Sequence, residues 1–338
     1  MNKKMLKNIE WGILICCLIL LGIGIVALFS ATQNTVTVEY RKQIIWALIS
    51  IPIMIIVVFI DYNFIAKMSP ILYGIGLVAL GAVLFTTPIN GARSWFKITE
   101  TITVQPSEFV KVVLILFLAF VMVKFQAQGK SEINKFWKLL VIMIICAAPI
   151  GLIVLQPDYG TVMAFVVGIA FMLYASGIDK KYIIAIILLI AISIPLLYNF
   201  VLPEHAKSRI AVFLNPELDP RGAGYNLLQS KLAIGSGQLL GMGILAGNQT
   251  QMGYLYPKAT DFIFSVIGEE MGFIIAALVV VLYVVMITKA IYVAKTAKDD
   301  LGGYIAIGIA RNIFIPYDRK YRNDNGIASN YGCSTTIC

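Results

Sequence analysis

The sequence predicts an all-α, polytopic membrane protein, and three observations carry that expectation. Only 13% of the 338 residues are charged and 59% are hydrophobic, whereas a soluble domain carries about 25% charged residues. The apolar residues gather in runs of about 20, the length at which a helix crosses the hydrocarbon core. Within those runs apolar and polar positions do not alternate with period two, as the strands of a membrane barrel would.

Spans are expected at 11–31, 43–60, 64–87, 107–124, 137–155, 159–177, 182–202 and 261–289, with a partial ninth starting near Leu301. The first run, from Trp11, is too long for the h-region of a signal peptide and closes on no small-residue cleavage site, so it reads as a retained span. Lysine and arginine in the short loops set the orientation. With the N-terminus cytoplasmic, thirteen lysines fall inside: Lys3, Lys4, Lys7, Lys67, Lys124, Lys130, Lys135, Lys138, Lys180, Lys181, Lys289, Lys295 and Lys298. Only Arg41, Lys42, Arg93 and Lys97 occupy the short outside loops. The long segment 203–260 is then a large extracellular loop between the seventh and eighth spans. This lysine bias explains the net charge of +9 better than nucleic acid does, because no basic stretch is interleaved with aromatics.

The five cysteines make no CxxC spacing, so neither a disulfide framework nor a zinc site is expected. His205, the lone histidine, has no second ligand and completes no Ser/His/Asp set. No cofactor is called for, although a divalent cation stays compatible.

Polar features stand out against this background. In QPSEFVK (105–111), Glu108 and Lys111 share a helix face three residues apart and can neutralise each other. In QPDYGT (156–161), Pro157 and Gly160 suit a tight turn, and Asp158 suits the cap of the sixth span. Glu269 and Glu270 lie about two turns inside the eighth span, where one charge costs about 2.5–3.5 kcal/mol. Two adjacent carboxylates suggest a polar cavity. The outer loop 88–105 carries Arg93 beside Trp95, a pair that suits a membrane interface or a phosphate.

The stretch Asn215–Glu270 is the one long polar interruption. It is Gly-rich from Gly222 to Gly253 yet matches no phosphate loop, since Leu240 stands where GxGxxG needs its third glycine. Its middle, NLLQSKLAIGSGQLLGMGI, has apolar residues at helical spacing, which predicts an amphipathic segment against the outer leaflet. Asp261 follows Thr260 at the junction of loop and span, and position alone reads it as a helix cap or first-turn acid.

Five motifs in order, NGARSWF, QPSEFVK, QPDYGT, FLNPELDPRGAGYNLLQSKLAIGSG and ATDFIFSVIGEEMG, resemble the RodA/FtsW/SpoVE (SEDS) family of bacterial cell-envelope proteins. The resemblance runs from residue 11 to about 310, and GNQTQMGYLYP looks most like the RodA, rod shape-determining branch. It implies ten transmembrane helices in the bacterial cytoplasmic membrane. It also implies peptidoglycan glycosyltransferase activity on lipid II and a class B penicillin-binding protein as partner. The family's essential aspartate falls on Asp261, and its central polar cavity on Glu108, Lys111, Glu269 and Glu270. Where the family usually has Leu-Pro and often a His before its Thr-Asp, this chain has Tyr256-Pro257 and Ala259. Joining a sugar hydroxyl to an anomeric carbon needs a carboxylate to accept the proton. The lipid diphosphate that leaves needs cations, for which Arg93, Lys111, Arg209, Arg221 and Lys231 are candidates. A flippase for the lipid-linked precursor, and a scaffold that only recruits a transpeptidase, are the alternative classes.

The end of the chain breaks the pattern. After Ala310 the ninth apolar run stops, and RNIFIPYDRKYRNDNGIASNYGCSTTIC is polar and aperiodic. Back-translated and read one nucleotide later, it can give GIFLFHMIENIGMTMGLLPITGVPLPF, which is apolar and like the family's continuation. The sequence therefore predicts a transmembrane domain over 1–310 and a frameshifted tail over 311–338. Resequencing the locus decides it: an intact frame ending at Cys338 with no apolar frame behind it refutes the shift.

Overall fold

Where no water reaches, backbone polar groups must be paired within the segment itself, and so the apolar runs fold as helices. The computed structural model describes residues 10–33, 39–88, 93–99, 102–182, 215–220, 222–255 and 258–310, with scattered positions between 184 and 212. Its helices are α1 (Trp11–Thr32), α2 (Glu39–Phe59), α3 (Tyr62–Ala82), α4 (Pro106–Gln126), α5 (Phe136–Leu155), α6 (Tyr159–Ala175), α7 (Ala223–Ser236), α8 (Asn248–Gln251) and α9 (Ile263–Thr296), then α10 (Asp300–Ala310). Among the described residues five helices are long and apolar enough to cross a membrane: α1, α2, α3 with its 3-10 extension to Phe85, α5 and α9. The chain is a multi-pass membrane protein. Helix α4 is also 21 residues long, but Glu108, Lys111 and Lys124 interrupt its apolar surface. Most of the expected seventh span, and the whole of 311–338, lie outside the described residues.

The outer loop departs from the all-α expectation. Phe96–Thr99 (β1) pairs antiparallel with Ile102–Val104 (β2), Phe96 facing Val104 and Lys97 facing Thr103. The sequence KITETITV is rich in β-branched residues, which favour strands.

Two compact units divide the chain. One comprises Val58–Leu196 and Ala290–Asn312. Its core is built on α4, whose Val110, Leu114, Leu118, Ala119 and Met122 are buried among Leu80 of α3, Ile142 and Ile153 of α5, and Phe165 and Met172 of α6. Polar side chains lock these helices by reaching neighbouring carbonyls. Tyr73 donates to Ile145 O at 2.7 Å, Gln156 to Leu80 O at 2.9 Å, and Gln126 to Ser176 O at 2.7 Å.

The other unit comprises the described residues of Met1–Val57 and Leu197–Lys289. Its described core sets Cys16, Ala27 and Ala31 of α1 with Phe262, Val266, Ile267, Val279 and Tyr283 on and beside α9. Helix α7 presents Leu227, Ser230 and Ala233 inward, three residues apart on one face. Ser230 meets Ser265 of α9, hydroxyl to hydroxyl at 2.8 Å. The amphipathic segment expected against the leaflet thus packs its small-residue face on α9, while Leu228, Lys231 and Leu232 remain exposed.

Candidate functional site

The eighth expected span is not one straight helix. At Gly272 the backbone turns to φ 81°, ψ 177°, dividing α9 into a short arm, Ile263–Met271, and a long one, Phe273–Thr296. A break inside a membrane helix frees carbonyls on one side and amides on the other, each costly unless paired. Here the Gly-rich loop pairs them. Met242 N donates to Glu269 O at 2.9 Å and Gly243 N to Glu270 O at 3.0 Å. In return Phe273 N donates to Gln238 O at 2.9 Å and Ile274 N to Leu239 O at 3.2 Å. Such contact requires glycine on both faces: a Cβ on Gly241 would meet Glu270 O, and one on Gly272 would meet Gly241 N.

The two glutamates close the short arm. Glu269 is wholly buried, and its carboxylate is occupied by α8: Gln249 N donates at 2.7 Å, Thr250 N at 3.0 Å and Thr250 Oγ1 at 2.7 Å. Glu270 Oε1 accepts from Gln251 Nε2 at 2.8 Å, and the same amide group reaches Ser30 Oγ of α1 at 3.1 Å. Backbone and amide donors therefore neutralise these carboxylates where a polar cavity was expected. Lys258, 9% exposed, donates its ammonium to Thr250 O at 2.7 Å. Burial pulls the Lys258 pKa below its usual value, and the charge of Glu270 opposes that shift.

Asp261 lies three residues beyond Lys258 and two before the first helical residue of α9. It accepts a hydrogen bond from Thr260, and its neighbour Phe262 is fully buried. Burial pushes the Asp261 carboxyl up to about 6, the Thr260 hydrogen bond holding it back only in part.

In the other unit, Lys111 Nζ reaches both oxygens of Glu108 at 2.9 Å, as the spacing predicts. Just before them, Gln105 donates to Asp158 Oδ2 at 2.9 Å. Asp158 caps α6, as expected, through Thr161 N at 3.1 Å, and also accepts from Thr161 Oγ1 at 2.8 Å. The turn itself falls at Gln156 and Pro157, with Gly160 already helical. Arg93 is exposed and donates to Leu84 O at 3.4 Å. Lys231 is exposed on α7; Arg209, Arg221 and His205 lie outside the described residues.

The FTSW_RODA_SPOVE family model, described as "Cell cycle protein", matches residues 11–317. The chain belongs to the FtsW/RodA/SpoVE family. It is 31% identical over 320 residues to the peptidoglycan glycosyltransferase MrdB of Escherichia coli K12, an alignment spanning 93% of this chain and 84% of that one. It is also 31% identical to the probable peptidoglycan glycosyltransferase FtsW of Trichlorobacter lovleyi, across 91% of this chain and 82% of the other. Its fold matches a chain of a solved peptidoglycan synthase complex that coordinates polymerization and crosslinking. The TM-score is 0.77 at 22% identity, covering 95% and 88% of the two chains.

Of the residues this FtsW/RodA/SpoVE sequence marks for a site, Asp261, Glu269, Glu270 and Lys231 fall in one unit and Arg93, Glu108 and Lys111 in the other. Sequence reasoning passed over Lys258 and Thr250. The signal was present in Lys258, a lysine between a proline and the Thr-Asp pair, where a solvated loop lysine was the ordinary reading.

Proposed function

We propose that this chain is a peptidoglycan glycosyltransferase that polymerises lipid II during elongation of the cell wall, with Asp261 as its general base. The observation that carries the reading is Asp261 itself: a carboxyl beside a buried helix start, pushed up to about 6. At that value it is ionised at neutral pH yet a stronger base than an ordinary aspartate, near 3.9. In the reaction the acceptor's 4-hydroxyl oxygen bonds to the donor's anomeric carbon. The bond from that carbon to the lipid diphosphate breaks, the electron pair leaves with the diphosphate, and Asp261 takes the hydroxyl proton. Attack opposite the leaving group inverts the anomeric carbon.

Lys231, Arg209 and Arg221 are proposed to attract the diphosphate; Arg93 and Lys111 belong to the other unit, where Lys111 pairs with Glu108. The family resemblance supports a multi-pass position in the bacterial cytoplasmic membrane, with about eight complete helices and a partial ninth where the family has ten, the loop 203–260 outside, and a class B penicillin-binding protein as partner.

Asp261→Asn tests the reading, since it keeps size and capping capacity and removes the charge. The expected outcome is unchanged membrane insertion and polymer from lipid II reduced about 10²–10⁴-fold. Near-normal polymer would return Asp261 to a helix cap. Transport of lipid-linked precursor without polymer from the unmodified chain would favour the flippase reading. Polymerisation should also rise with pH along a limb centred near 6, where the Asp261 carboxyl loses its proton.

A further inference from the structure

We infer that Glu269 and Lys258 together form a buried clamp on α8 that positions Asp261, and that neither side chain binds substrate. The inference rests on the reading of Asp261 as the base. Every described hydrogen bond to the Glu269 carboxylate comes from two α8 residues, three donors within 3.0 Å, and none of the side chain is left exposed for a sugar or phosphate. Lys258 holds the same helical turn by a carbonyl, Thr250 O, at 2.7 Å. The carboxylate thus meets free amides and the ammonium meets a carbonyl, the polarity that a turn of helix favours at its two ends.

The chain path makes the clamp act on Asp261. Lys258 fixes one side of it and fully buried Phe262 the other, leaving only Ala259, Thr260 and Asp261 between two anchors. Three residues extend no further than about 10–11 Å, so a shift of either anchor moves the carboxylate. Glu269 lies on the short arm that starts just after Asp261, so the two clamp residues tie both flanks of Asp261 to one turn of helix. Misplacing a reacting group by about 1 Å costs about 10²-fold in rate.

The test compares Lys258→Met, Lys258→Arg and Glu269→Gln in the full chain, reading kcat and KM for lipid II together with amide exchange across 248–262. For Lys258→Met and Glu269→Gln the clamp predicts kcat lower by at least about tenfold, KM within about twofold, and exchange faster by about tenfold. Lys258→Arg keeps a donor and should restore kcat to within about threefold. A raised KM with kcat intact would make Lys258 a substrate ligand and overturn the clamp, and so would unchanged exchange in both variants. If a chain with its C-terminus restored makes no polymer, the glycosyltransferase reading fails by itself, and exchange still decides whether the clamp exists.

Discussion

Two pairs of charged residues sit in membrane helices of this protein, and they are neutralised in opposite ways. Glu108 and Lys111 on α4 answer each other directly, one turn apart, with 24% and 13% of their side chains exposed. Glu269 and Glu270 on the short arm of α9 carry like charges, side by side, and are almost fully buried. Their partners are mostly polar groups of α8, brought from about twenty positions earlier in the chain. An ion pair on one face needs only its own helix, whereas a buried carboxylate pair needs a second segment folded onto it. The first arrangement holds with one helix alone; the second depends on the loop staying folded onto the arm.

Removing one member of each pair should expose the difference. Glu269→Ala strands three buried donors at about 1–3 kcal/mol each, so thermal unfolding in detergent should show a loss of about 3–9 kcal/mol or no folded protein. Gly272→Ala comes next, because the added Cβ meets the loop backbone at a positive φ. A loss of about 2–4 kcal/mol is expected from strain and displaced pairing. Glu108→Ala leaves one partly buried ammonium without its partner, against three donors stranded at Glu269, and should cost less, about 1–3 kcal/mol. A cost at Glu108 equal to that at Glu269 would erase the distinction. The smallest effect has the opposite sign. The folded pKa of Asp261 lies above its ordinary 3.8, so the folded state binds this proton more tightly, and the cost of ionising it is fully present above about 6. Asp261→Asn should therefore raise the melting temperature by about 2–4 °C at pH 7.5, and the gain should vanish near pH 4.

The first pair was legible in the sequence and the second was not, for a reason of range. A three-residue spacing fixes which side chains share a helix face, so the bond between Glu108 and Lys111 follows from QPSEFVK alone, and the Asp158 cap from QPDYGT. The positions of the helices, too, follow from apolar runs, within a few residues for α1, α5 and α6. The break at Gly272 did not announce itself, because glycine inside an apolar run is ordinary and its cause lies in Gln238–Gly243, thirty residues upstream. Likewise the glycines of 237–247 fit no ligand motif, since Gly237 and Gly241 make room for the backbone of the short arm and Gly247 for the side chains of Glu269 and Glu270. The carboxylate at 261 was found by motif, but the anchors on either side of it depend on contacts that no local pattern encodes.

The break in α9 also fixes a chronology. Residues 238–243 are synthesised before 269–274, so the loop that will receive the freed carbonyls and amides already exists when the short arm emerges. The partner of the broken backbone is thus translated before the helix that needs it.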